Sequence, residues 1–134
     1  MRFNVTVSGL DRLVSDLDKA PERAHRNSLK AVEFTANGIK RTARATATGI
    51  SYAPDYPRKI TYDVDDRGVG DGASAEIGPD KALGGQAPLG VFLEYEYGTP
   101  WSAPRPHLGP ALDRWTPDFV KGQEIAVVDA LEGS

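Results

Sequence analysis

Apolar residues in the N-terminal half of the chain recur every three or four positions, which is the period of an amphipathic helix. The first run extends to Pro21, where the missing backbone donor should end or interrupt a helix of about three turns. A longer helix is predicted after Pro21. Its apolar stripe consists of Leu29, Val32, Ala36, Ile39 and Ala43. Before the first helix, the alternation of residues 2–7 predicts a short strand that ends at Ser8 and Gly9.

A two-residue period predicts two strands in the middle of the chain, KITYDV at 59–64 and ASAEIG at 73–78. The glycines between them, at positions 68, 70 and 72, are typical of a hairpin connection. We therefore expect an antiparallel pair across residues 58–78. Since proline cannot donate to a strand ladder, Pro79 should end the second strand.

The sequence of the C-terminal part predicts two consecutive helices. Residues 108–115 form a short helix after a proline-rich stretch, and Thr116 then offers a capping hydroxyl with Pro117 at the first position of a last helix over 117–131. Together the elements predict an α+β fold, in which a small antiparallel sheet is packed by a long N-terminal-half helix and a C-terminal helix. A length of 134 residues fits one domain, 1–134.

Composition narrows the classes of protein to consider. The chain has no cysteine, which excludes disulfides and zinc sites of the cysteine type, and it has no apolar run of the length that a membrane helix needs. We expect a soluble protein that is made in the cytoplasm and has no membrane partner. The net charge of −3 argues against a general affinity for nucleic acid.

Charge is distributed unevenly along the chain. Residues 23–44 contain six basic residues against Glu33 alone, whereas residues 63–80 contain six acidic residues against Arg67 alone. A basic face that is directed to solvent or to a partner is predicted on the long helix, at Arg26, Lys30, Lys40, Arg41 and Arg44. The alternative function that this face allows is a nucleic-acid-binding accessory domain, although the helix lacks the side chains of a recognisable recognition helix.

Several short motifs partly match cofactor or catalytic sites, but the neighbouring residues do not meet the requirements of those sites. The glycines at 68, 70 and 72 fit a dinucleotide pattern, but a strand-like segment follows them where that pattern requires a helix. A calcium loop that starts at Asp63 has Arg67 and Ser74 at positions that need oxygen ligands and a glutamate. His25 and His107 lack metal-like spacing, and Glu94, Glu96 and Ser102 lack the surroundings of catalytic groups. We expect no cofactor, no metal and no enzymatic activity.

One segment, 94–112, carries a family resemblance. Its sequence, EYEYGTPWSAPRPHLGPAL, contains an aromatic residue between Glu96 and Gly98-Thr99, then a proline-rich turn, then Pro110-Ala111-Leu112 at the start of the C-terminal helix. This order and spacing resemble the gene-product-ten-like neck and tail-component proteins of siphophages. His107 departs from that family's pattern, since a large apolar residue is usual there.

The resemblance implies a structural virion protein of a tailed phage, in the role of a neck, tail completion or tail terminator protein. It implies a homo-oligomeric ring at the head–tail junction, close to packaged DNA, with the phage connector, head-closure and tail-tube proteins as partners. The oppositely charged stretches 23–44 and 63–80 are expected to add heterologous contacts between subunits.

Prolines stiffen the 94–112 segment, and aromatic side chains on a stiff arm lose little entropy when they bind. Trp101 either anchors such a subunit contact or caps the domain's own core. The residues expected at the subunit or partner interface are Tyr95, Glu96, Tyr97, Thr99, Trp101, Pro104, Arg105, Pro106 and His107.

Overall fold

The computed structural model describes residues 7–50, 53–89 and 106–133, and within them the fold is α+β as predicted. Helix α1 spans Val7–Ala47 and helix α2 spans Leu108–Leu131. Between them, strands β1, Ile60–Asp66, and β2, Ala73–Pro79, form an antiparallel hairpin. Short 3-10 turns flank the hairpin at Tyr56–Lys59, Lys81–Leu83 and Ala87–Leu89. No helix in these described ranges is both long and apolar enough to cross a bilayer.

The prediction that Pro21 ends or interrupts a helix was wrong, because α1 is one helix of 41 residues that also includes Ser8 and Gly9. The physical reason is the side on which the proline lies. Pro21 is exposed, and so is Leu17, whose carbonyl would have accepted the missing bond, so water can satisfy it. The strand predicted at 2–7 lies outside the described residues except for Val7, which begins α1.

Helix α2 corrects the second predicted boundary in the same way. The helix passes through Pro117 without a break, and the Thr116 hydroxyl donates to the Leu112 carbonyl oxygen at 2.7 Å inside the helix instead of capping a new one. Pro117 and Asp113, which lies one turn earlier, are both exposed. The lost backbone bond therefore falls on the solvent side of α2, where it costs least.

The hairpin prediction was confirmed, with Ile60 paired to Pro79 and Asp66 paired to Ala73. Its turn is formed by Gly68, Gly70 and Gly72, all of which have φ between +80° and +93°. That conformation favours glycine, since a Cβ would clash with the backbone. Strand β2 follows the turn directly, so the three glycines serve a hairpin and do not precede a helix as a dinucleotide site requires.

The two helices pack antiparallel along most of α2. The indole Nε1 of Trp115 donates to the Thr42 hydroxyl at 2.9 Å near one end, and the Arg23 guanidinium donates to the Ala130 carbonyl oxygen at 3.0 Å near the other. Small residues allow close approach between these points, because Trp115 lies over Gly38, and Gly122 lies beside Ala31.

The core occupies the end of the molecule where α1, the hairpin and the start of α2 meet. Tyr56 and Ile60 are fully buried there, and Trp115 packs against the cluster. The other buried members are Ile39, Ala43, Ala47, Ile50, Ala53 and Ala111. Ile39 and Ala43 of the predicted stripe thus lie in this core, and Val32 and Ala36 are buried further along the same side of α1.

Candidate assembly surface

Most of the segment that carries the resemblance lies outside the described residues, which omit 90–105. The interface roles of seven residues therefore stay predictions, namely Tyr95, Glu96, Tyr97, Thr99, Trp101, Pro104 and Arg105. The same holds for the view of Glu94 and Ser102 as non-catalytic residues. Of the predicted interface residues, Pro106 and His107 are described.

His107 lies in the core at the start of α2, with 1% of its surface exposed, while Pro106 is exposed. The His107 Nε2 and the Tyr56 hydroxyl share a hydrogen bond of 2.6 Å, and the two rings meet edge to face with centroids 5.2 Å apart. The imidazole can therefore replace a large apolar residue, since its buried nitrogen is satisfied. His107 joins α2 to Tyr56, 51 residues earlier in the chain.

The predicted basic face of α1 divides into two groups. Lys40 and Arg44 are half-buried and hold the hairpin: Arg44 donates through Nε and Nη2 to the Ile60 carbonyl oxygen at 2.9 and 2.7 Å, and the Lys40 Nζ lies 5.2 Å from the centroid of the Tyr62 ring. Arg23, as described above, holds the end of α2. These cations stabilise the fold of their own chain.

Four other basic residues of α1 face solvent in one line. Arg26, Lys30 and Arg41 are exposed, as is Lys19, and their spacing of seven, four and eleven residues places them on one side of a helix. We call these four residues the cationic row. Among the ion pairs formed by the described residues, none includes a member of this row.

The outer side of the hairpin carries the opposite charge. Asp63 and Glu76 are exposed and directly paired across the two strands, and Asp65 is exposed two residues further along β1. An open groove of about 380 Å³ is lined by Asp63, Glu76 and Asp80, among others. We call Asp63, Asp65, Glu76 and Asp80 the acidic face. Like charges opposite one another weaken a strand pair, so this arrangement does not serve the hairpin itself.

His25 and Asp66 join α1 to the turn end of the hairpin, with the His25 Nε2 at 2.6 Å from the Asp66 Oδ1. The pKa of the Asp66 carboxyl lies below its ordinary value of 3.8, because the Gly68 backbone N–H donates to it at 3.0 Å and because the His25 side chain donates to it as well. The sequence spacing of His25 argues only against a metal site, and it does not indicate the partner that lies 41 residues away.

Replacing Asp66 with asparagine is expected to lower the free energy of unfolding at pH 7 but not at pH 2.5. A carboxylate whose pKa is depressed in the folded state stabilises the protein above its unfolded pKa, and that stabilisation disappears as pH falls through the lower folded value. Urea unfolding of both proteins between pH 2.5 and 7 measures this, and the difference between them is expected to shrink progressively as pH falls below about 3.8. The control Asp63→Asn removes a carboxylate from the outer side of the same strand and should not reproduce the loss.

Helix α2 presents a row of aliphatic side chains to solvent. Val120, Val127 and Leu131, spaced by seven and four residues, are 50%, 51% and 60% exposed, and Val128 beside them is 50% exposed. We call Val120, Val127 and Leu131 the apolar row. Their positions show only after the inner side of α2 is known to be Ala111, Ala126 and Ala130. In the sequence, Thr116 and Pro117 indicate that a helix is present, but they do not indicate which of its side chains are exposed, so the row was not predicted.

A second apolar surface lies between the elements. An open groove of about 330 Å³ runs between α1, β2 and α2, where Val32, Ile39, Ile77, Leu112 and Phe119 are among its lining residues. Leu112 is 53% exposed at its edge. The domain therefore exposes apolar area in this groove as well as along the apolar row.

Groups of three or more side chains suited to hold a metal ion are absent from the part of the chain that the structure describes. The turn that would have formed a calcium loop is instead closed by its own backbone, with the Arg67 N–H donating to the Gly72 carbonyl oxygen at 3.0 Å. Comparison of the chain with protein-family models, curated proteins and solved structures found no match.

Proposed function

We propose that this protein is a structural virion component of a tailed phage, without enzymatic activity, that assembles as a homo-oligomeric ring at the head–tail junction. Its role there is that of a neck, tail completion or tail terminator protein. The observation that carries the proposal is the apolar row on α2, whose side chains are half exposed along the outside of a small domain. Exposed aliphatic side chains that cluster on one helix, as Val127, Val128 and Leu131 do, are typical of subunit interfaces.

The type of assembly is supported by the difference between the surfaces. The apolar row, the cationic row and the acidic face lie on α2, α1 and the hairpin, and each has a different chemistry. Contacts between unlike surfaces are heterologous, and such contacts generate rings when the rotation between copies closes. The resemblance of segment 94–112 supports the phage connector, head-closure and tail-tube proteins as the partners of this ring.

Wild-type protein is expected to form oligomers at micromolar concentration and to join connector or tail-tube proteins when they are mixed. The double substitution Val127→Asp with Leu131→Asp places two charges in the apolar row and should weaken self-association by about tenfold or more. Sedimentation velocity over a concentration series measures the change, and negative-stain images show whether rings form.

The matched control is Lys121→Asp, which changes an exposed residue of the same helix outside the apolar row. It should associate like the wild type, and circular dichroism should show that all variants retain their helix content. A wild-type protein that stays monomeric at every concentration and never co-assembles with connector or tail proteins would contradict the proposed function.

A further inference from the structure

The described basic side chains of α1 form two groups: some contact other elements of the same chain, and the others face solvent. Arg23, Lys40 and Arg44 contact α2 or the hairpin, whereas Arg26, Lys30 and Arg41 point to solvent. The hairpin covers one side of α1 and α2 covers another, so the cationic row lies on a third side. The acidic face is on the outer side of the hairpin, turned away from α1. The two charged surfaces of one copy therefore cannot meet each other.

We propose that the cationic row of one copy docks on the acidic face of the next copy, which is a head-to-tail contact between identical chains. This inference rests on the proposed function, since it names the surfaces by which copies of the ring recognise one another. It differs from a contact through the apolar row because its two sides are chemically opposite.

The part of the cationic row from Arg26 to Arg41 is about as long as the hairpin. Arg26 and Arg41 are 15 positions apart in α1, which corresponds to about 22 Å at the rise of an α-helix. Each hairpin strand has seven residues, which corresponds to about 23 Å at the rise of a strand. A neighbour's α1 laid along the hairpin can therefore present its basic residues to the carboxylates over the full length of the strands.

The acidic face has a charge arrangement that a neighbour's cations would relieve. Asp63 and Glu76 are directly opposite each other, and no ion pair of the described residues includes either of them. Asp65 has the Arg67 guanidinium at 3.9 Å, whereas none of the ion pairs of the described residues includes Asp80. A lysine or arginine placed between Asp63 and Glu76 would turn a repulsive pair into an attractive cluster.

The apolar contact and the charged contact contribute differently to the association of copies in a ring. Burial of the apolar row supplies affinity that depends little on salt, whereas charge complementarity fixes which surfaces meet and in which orientation. Because exposed charges are screened at high ionic strength, association should weaken as salt is raised from 50 to 500 mM.

Two charge reversals test the contact. One variant carries Arg26→Glu, Lys30→Glu and Arg41→Glu, and the other carries Asp63→Lys and Glu76→Lys. Each alone has two surfaces of the same sign, and we expect self-association to weaken by at least about tenfold. Mixed in equal amounts, the two variants should associate again, because each reversed surface then meets a complementary one. Sedimentation velocity of the separate and mixed proteins is the measurement.

Lys121→Glu is the control, since it reverses an exposed cation of α2 outside the cationic row and should leave association unchanged. If the wild type assembles and the two reversal variants assemble equally well, or if mixing them restores nothing, this inference is overturned and the proposed ring stands. A wild type that never assembles overturns the ring itself. Salt-sensitive retention of duplex DNA that the α1 reversal abolishes, with assembly unchanged, would assign the row to nucleic acid and overturn the inference.

Discussion

Replacing Tyr56 with alanine is expected to lower the free energy of unfolding by about 3–5 kcal/mol, which is the range for removal of a buried aromatic side chain. Tyr56 is fully buried in the core cluster. Its ring packs against the edge of His107, and its hydroxyl bonds to that imidazole. The substitution therefore leaves a cavity and also removes a polar contact that fixes the start of α2. Since small domains are stable by only about 5–15 kcal/mol, a large share of the total would be lost.

Tyr56→Phe separates the two contributions. It keeps the ring in place and removes the hydroxyl together with its 2.6 Å hydrogen bond to the His107 Nε2, for which a loss of about 1–2 kcal/mol is expected. Urea unfolding followed by circular dichroism gives both values from the shift in midpoint. A Tyr56→Ala protein within 1 kcal/mol of the wild type would contradict the placement of this residue in the core.

The second large effect is a difference in sign between two equivalent glycine substitutions. Glycine within a helix is less favourable than alanine by about 1 kcal/mol, so Gly→Ala normally stabilises. At Gly38, however, a Cβ would lie 2.5 Å from the Trp115 ring atom Cζ2, and the indole is held by its bond to Thr42. Overpacking of this kind costs about 1–3 kcal/mol, and we expect Gly38→Ala to destabilise the protein by about 1–2 kcal/mol.

Gly122→Ala is the matched control on the opposite helix. Its Cβ would lie 3.7 Å from the Cβ of Ala31, which is ordinary contact, so a gain of about 0.5–1 kcal/mol is expected. Thermal and urea unfolding of the two variants measure the signs directly. Equal stabilisation by both would show that Trp115 does not pack over Gly38.

Periodicity was sufficient for those parts of the fold in which one side of an element is buried. The stripe of α1 from Val32 to Ala43 and the alternation of both strands correspond to the observed core-facing sides. Periodicity does not report which side of a helix a proline occupies. Pro21 and Pro117 are tolerated because their missing bonds fall on the solvent side, and that side is fixed only by tertiary packing.

The sequence pattern was even less sufficient for the candidate surfaces than for the fold. Composition located basic residues on α1, but only the position of the hairpin separates Arg44, which binds the Ile60 carbonyl, from Arg41, which faces solvent. Likewise, the contact between His107 and Tyr56 joins residues 51 positions apart, and neither residue has a local pattern that indicates the other. Contacts of this range follow from topology and not from spacing along the chain.

The antiparallel packing of α2 on α1 also has a consequence for the order in which the protein is made. The partners of Thr42, Ser28 and Arg23 on α1 are, in turn, Trp115, Gln123 and Ala130. A ribosome releases α1 and the hairpin before α2, which covers part of both. The side of α1 that packs against α2 is therefore exposed until α2 has been made. Chains that stop before α2 would lack Ala111 and Trp115, which pack in the core, and would be expected to fold poorly.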